Sequence, residues 1–351
     1  MKSLNFMQTL TIAKPDDFHL HLRDGAAMAS IVNYSATQFS RAIVMPNLKP
    51  PITTVDMAKS YYNRILNYAD KKYNFEPLMT LYLTDNTKPS EIDIVAQNET
   101  IKALKYYPAG ATTNSDYGVT DIKKIYLVLE SMMKNEIPLL IHGEVSDTKI
   151  NVFDREKVFI EKVLTPLVTD FSELKIVLEH ISTEVAVDFV LNANNNLAAT
   201  ITPQHIFLNR NDLFNESFQP HNYCLPVVKE EDDRLAVLGA AVSGNPKFFL
   251  GTDSAPHDRA KKESGCGCAG IFSAYNALGI YAEIFEKENK LDKLEAFASY
   301  YGADFYGLKR NDEKITLIKK EKKIPKELPF DDNDELVPFR AGENCTWQVE
   351  Y

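Results

Sequence analysis

Short, β-rich apolar runs alternate along the chain with longer segments in which apolar residues return at helical spacing. The runs read as strands: 10–12 continuing to 18–20, then "RAIVMPN" (41–47), "PLMTLYLT" (77–84), "IKALKYYP" (101–108), "IPLLIHG" (137–143), "KIVLEHI" (175–181), "LAATITP" (197–203) and "KFFLGTD" (247–253). Most are continuously apolar rather than alternating, the pattern of strands covered on both faces. Helical periodicity occupies 26–40, 54–70, 120–135 and 182–193; the last opens Ser-Thr-Glu, close to a capping signal. Eight strands alternating with helices predict an α/β protein, a (β/α)8 TIM barrel. The alternative is an open doubly wound sheet. It would carry a glycine-rich phosphate turn after the first strand, where this chain has "HLHLRDG".

Bulk properties narrow the partners. A length of 351 residues suits one large domain or two average ones, and 44% hydrophobic with 25% charged residues is ordinary for a soluble globular protein. The net charge of −10 argues against nonspecific nucleic-acid binding, which needs a positive surface. No run approaches the ~18 apolar residues of a membrane span, and the first residues lack the apolar core of a secretory signal. Four cysteines, Cys224, Cys266, Cys268 and Cys345, make no disulfide framework in a chain this size. A cytoplasmic protein acting on a small molecule is expected. "GCGC" (265–268) is C-x-C with no second pair to complete a tetrahedral site, so these read as loop thiols.

The candidate chemistry gathers at strand ends. Of seven histidines, His19 and His21 end the first run, His142 and His180 lie near the ends of the fifth and sixth, His205 follows the seventh, and His257 lies just beyond the eighth. Asn47 ends the second run, Lys105 lies in the fourth, and Asp253 ends the eighth. In a barrel all these ends meet on one face. His-x-His on a strand turns both rings to one side, because side chains alternate with period two. Alone that pair is a weak signal. With His142, His180 and Asp253 it becomes a set of imidazole and carboxylate donors suited to Zn²⁺. Arg23, on the same face, can grip a carboxylate bidentately; the bland alternative is a surface pair with Asp24. His205 and His221 default to structural service, and Lys102 to a solvated or helix-facing position.

The motifs "FHLHLRDG", "MPNLKPP", "KYYPAGATTNS", "PLLIHGE", "VLEHIS", "ITPQH", "YCLPVVK", "FLGTDSAPH" and "KKESGCGCAG" resemble the bacterial class II dihydroorotase family of the amidohydrolase superfamily, from about residue 8 to near 305. The resemblance implies the amidohydrolase form of the barrel over 1–310, with a C-terminal extension, 311–351, packing on it. It implies two Zn²⁺ per subunit: His19, His21 and Asp253 on the more buried ion, His142 and His180 on the other. Lys105, carboxylated by CO₂ to N6-carboxylysine, would bridge both. A free ammonium would be repelled by two cations, whereas the carbamate is an anionic oxygen donor.

The implied reaction is reversible cyclisation of N-carbamoyl-L-aspartate to L-dihydroorotate plus water, in pyrimidine synthesis. Asp253 would be general base and then general acid to a zinc hydroxide. Substrate would meet His21, Arg23, Asn47, His142 and His257, and the backbone of Leu225 and Ala269. Thr112 and Thr113, in the loop "AGATTNSDYG" (109–118), would close over its carboxylate. The family also implies a homodimer. Rival readings on the same barrel are a mononuclear deaminase, which has no use for Lys105, and a binding protein without catalysis. The stretch 314–336, basic then acidic, reads as a solvated tail against the barrel.

Overall fold

Eight parallel strands stand side by side in chain order in this computed structural model, which describes residues 8–265, 267–332 and 334–350. β1 (Thr9–Ala13) lies outside the barrel. The barrel strands are β2 (Asp16–Leu20), β3 (Arg41–Val44), β4 (Glu76–Tyr82), β5 (Ile101–Tyr106), β6 (Leu139–His142), β7 (Ile176–Glu179), β8 (Leu197–Ile201) and β9 (Phe248–Leu250). The parallel bridge Leu20–Ser254 and the hydrogen bonds from Asp253 N to His19 O (2.9 Å) and from His21 N to Ser254 O (3.2 Å) join the last strand back to the first. The order β2 to β9 with intervening helices is a (β/α)8 TIM barrel.

Helices Val55–Tyr68, Tyr126–Lys134 and Glu184–Asn192 fall within the intervals of helical periodicity, and Gly25–Ala36 starts one residue before its interval. Thr54 and Thr183 start two of them, their hydroxyl oxygens accepting from Met57 N and Ala186 N. Among the described residues no helix is long and apolar enough to cross a membrane.

The chain ends depart from expectation. Residues 10–12 and 18–20 do not form one strand. β1 leaves the barrel and pairs antiparallel with β10 (Lys314–Lys323). The 314–336 segment is not a solvated tail either. β10 buries Ile315 and Leu317 and holds β13 (Asn344–Val349) on its other edge, while β11 (Leu328–Phe330) and β12 (Asp334–Leu336) form a separate hairpin. The last strand is anchored by Trp347, fully buried, whose carbonyl accepts from Asn276 Nδ2 at 3.0 Å.

Inside the barrel, the period-two rule sets the layers. Ile43, Leu78, Ala103, Leu140, Val177, Ala198 and Phe249 form one apolar plug with Phe18. One inward step further along β5, β6 and β7 come Lys105, His142 and Glu179. In β2 the pairing slips between Asp17 and Leu20. Such an irregularity re-aims side chains: Phe18 joins the plug, and His19 and His21 both reach the site above it.

Candidate active site

Above the plug, a narrow cleft opens at the C-terminal ends of the strands. Its walls include His19, His21, Arg23, Asn47, Thr112, Thr113, His142, His180, Leu225, Asp253 and Ala269. Two other expected residues stand behind this wall: Lys105, fully buried beneath the rings, and His257, behind Arg23.

The donor atoms converge. One nitrogen each of His19 and His180 and a carboxylate oxygen of Asp253 all lie within 4.8 Å of one another. Asp253 Oδ1 is 3.2 Å from His21 Nε2 and 3.3 Å from His19 Nε2. The two Nε2 atoms are 3.2 Å apart, and His142 Nδ1 is 3.3 Å from His180 Nε2. Three backbones here are left-handed: Arg23 (φ 59°), His180 (φ 45°) and Asp253 (φ 42°). Each is a local cost that clusters at functional sites. For His180 the turn brings its ring in immediately after inward-facing Glu179.

Hydrogen bonds fix which nitrogens are free. His21 Nδ1 donates to Asn47 Oδ1 (2.9 Å), leaving Nε2 the lone pair. His142 Nε2 donates to Glu144 Oε2 (3.1 Å), leaving Nδ1. Burial holds His19 and His180 well below the ordinary imidazole range, helped by Lys105 and the neighbouring rings. Burial also lowers His21 and pushes Lys105 well below the ordinary lysine range. His19 Nδ1, His180 Nδ1 and Glu179 Oε1 are buried with no hydrogen-bond partner. Neutral imidazoles with lone pairs aimed at one another are poor hydrogen-bond partners and good cation ligands. The residues present therefore fit divalent metal.

Two buried carboxylates escaped sequence reasoning. Glu179, fully buried, takes the Lys105 amine, and its other oxygen lies 3.1 Å from His19 Nδ1, off the hydrogen-bond direction. Glu144, also fully buried, backs His142. The signal for Glu179 was a charged residue in phase with the inward positions of "IVLE"; for Glu144 it was its place two residues after His142.

The substrate-side residues also meet. Arg23 does not pair with Asp24, which binds Arg64 instead. Arg23 is half-buried, donating from Nε to Pro256 O (2.8 Å), with Nη2 3.1 Å from His257 Nε2. Burial and then the guanidinium hold His257 down to about 2, so its ring is neutral. The loop 109–118 lies across the cleft. Thr113 O accepts from Asn47 Nδ2 (3.2 Å), Thr113 Oγ1 donates to Ala269 O (3.3 Å), and Asn114 Nδ2 donates to Asn47 O (2.9 Å). His205 bridges Thr202 Oγ1 (2.8 Å) and Pro226 O (2.9 Å), a structural tie. His221 pairs with Glu263 at 3.0 Å near the surface. Cys224 and Cys345 are buried and form no disulfide among the described residues, and Cys266 lies outside them.

A barrel with imidazoles, an aspartate and a buried lysine at its strand ends is the site of an amidohydrolase, and the amidohydrolase family model matches residues 13–331. A curated dihydroorotase of Acaryochloris marina is 60% identical over 343 residues, covering 98% of this chain and 99% of its own. The dihydroorotase structure of Campylobacter jejuni superposes with a TM-score of 0.90 at 36% identity, covering 100% of both chains. That of Saccharomyces cerevisiae, in complex with 5-fluoroorotic acid, gives 0.90 at 35% identity, covering 98% of each. The chain belongs to the dihydroorotase family of amidohydrolases.

Proposed function

We propose that the chain interconverts N-carbamoyl-L-aspartate and L-dihydroorotate with two Zn²⁺ per subunit, as a cytoplasmic homodimer. His19, His21 and Asp253 would hold one ion and His142 and His180 the other, with Lys105, carboxylated, as the ligand that would be shared between them. The observation that carries this reading is Lys105: a fully buried lysine set among the imidazoles and against Glu179, where burial disfavours the ammonium relative to the amine. Bound zinc would supply Lewis acidity, bringing the pKa of water toward neutrality and polarising the ring amide carbonyl.

The chain's own groups do the rest. Asp253 takes the proton from the attacking water and passes it to the ring nitrogen as the C–N bond breaks. The reverse direction uses the same groups. Arg23, Asn47 and neutral His257 bind the free carboxylate, with Thr112 and Thr113 closing from the loop. The backbone at Leu225 and Ala269 takes the polar edge of the ring. Glu179 keeps a hydrogen bond to the Lys105 nitrogen, since the carbamate retains one N–H.

The test is hydrolysis of L-dihydroorotate with metal counted on the same sample. The expected outcome is turnover that a chelator removes and Zn²⁺ restores, at two ions per chain. Full activity at one ion per chain would favour the mononuclear reading. No turnover in the two-zinc protein would end this one.

A further inference from the structure

Behind the wall formed by Leu225 and Ala269 lies a lysine that the reaction does not use. Lys262 ends the short helix Arg259–Lys262 and is 3% exposed. Its neighbours Arg259 and Lys261 pair with Glu263 and Asp258, whereas Lys262 has no ion pair among the described residues. Burying an ammonium without a carboxylate is costly unless its protons are otherwise satisfied. Here they are spent on two carbonyls: Nζ donates to Tyr223 O at 2.8 Å and to Gly270 O at 2.7 Å.

Those two carbonyls belong to the two segments that form one side of the cleft. Tyr223 stands two residues before Leu225, and Gly270 directly follows Ala269; Leu225, Ala269 and Gly270 all line the cleft. Gly270 N also donates to Tyr223 O (3.0 Å), so the segments touch where the ammonium grips them. Each is fixed on its far side. His205 and the Cys224 thiol both reach Pro226 O, at 2.9 and 3.3 Å. Gly270 sits at φ 147°, so close to Ala255 that a Cβ would come within 2.5 Å of its carbonyl oxygen. Lys262 therefore occupies a joint between two braced segments.

We propose that Lys262 is a positioning residue: its ammonium pins the Tyr223 and Gly270 carbonyls together and so sets the spacing of the Leu225 and Ala269 backbone that receives the ring. This rests on the substrate roles given above to Leu225 and Ala269. Burial lowers Lys262 to about 8, with the Cys224 and Cys268 thiols and the Tyr223 ring facing it. The grip therefore weakens as the ammonium is lost in mildly alkaline solution, while an arginine would stay charged.

The experiment compares the zinc-loaded parent, Lys262→Met and Lys262→Arg, measuring kcat and KM for L-dihydroorotate from about pH 7 to pH 9, with metal counted on each. Lys262→Met is expected to raise KM about tenfold or more at pH 7, with kcat within about threefold and metal content unchanged. Lys262→Arg should restore much of the KM and flatten its rise above pH 8. An active Lys262→Met with parental KM overturns the proposal. Should that variant fail to fold, the parent and the arginine variant decide it: identical KM profiles across the pH range also overturn it. Absence of turnover in the parent itself would instead strike the assigned reaction.

Discussion

In the proposed reaction Asp253 would carry two tasks in one side chain. Its Oδ1 lies within 3.3 Å of both His19 and His21, and its left-handed backbone swings the carboxylate out of the strand toward the cleft. Asp253→Asn keeps the size and removes the proton-carrying ability. Turnover should fall by about 10³-fold or more, with little change in the melting temperature; steady-state rates and a thermal melt check both. Activity within about tenfold of the parent would remove the proton-shuttle role. His205 makes a different kind of contribution. Burial holds it down to about 4, so it stays neutral in the fold, while the unfolded chain takes up a proton near the ordinary 6.5. Its contribution is present above pH 6.5 and is lost as pH falls toward 4, by up to about 3 kcal/mol. His205→Asn should flatten the stability profile in that window, as read by denaturant unfolding at pH 4.5, 5.5 and 7. At this scale the imidazoles were legible because histidine is scarce and ends several strands. Glu144 and Glu179 were not: glutamate is common, and only inward register tells a buried carboxylate from a solvated one.

Strands and helices show a similar division. Apolar runs located the other seven barrel strands and the end of the first, because parallel strands covered on both sides are mostly apolar throughout. They did not disclose partners. Residues 10–12 look like the start of the first barrel strand, yet they pair with 315–317 in a different sheet. β10 looked solvated because its charged residues dominate; the alternation of Ile315 and Leu317 was the missed signal. Among the elements, the turn after β9 presses directly on a site residue. A Cβ on Gly251 would meet Thr200 Cβ at 2.8 Å and His19 Cβ at 3.1 Å. Gly251→Ala should push His19 off its position and lower kcat by about tenfold or more while the barrel still folds. Parental kcat in a folded Gly251→Ala protein would show that His19 tolerates the shift.

Across the whole molecule, the seam between β2 and β9 matters most. Asp17, buried and raised to about 7 by desolvation, accepts from Thr252 N (2.8 Å) and Thr252 Oγ1 (2.5 Å) across that seam. β1 and β10 then tie the two ends of the chain together outside the barrel. The same seam carries His19 and His21 on one side and Asp253 on the other, separated by more than 230 residues of chain. A polypeptide still emerging from the ribosome carries His19 and His21 early and Asp253 only late. Until the last barrel strand docks against the first, it has an open sheet edge and an incomplete ligand set. With the proposed zinc ligands split across that seam, metal capture would be deferred to a finished fold, and a truncated or stalled chain would have little means of withdrawing zinc from the cell's supply.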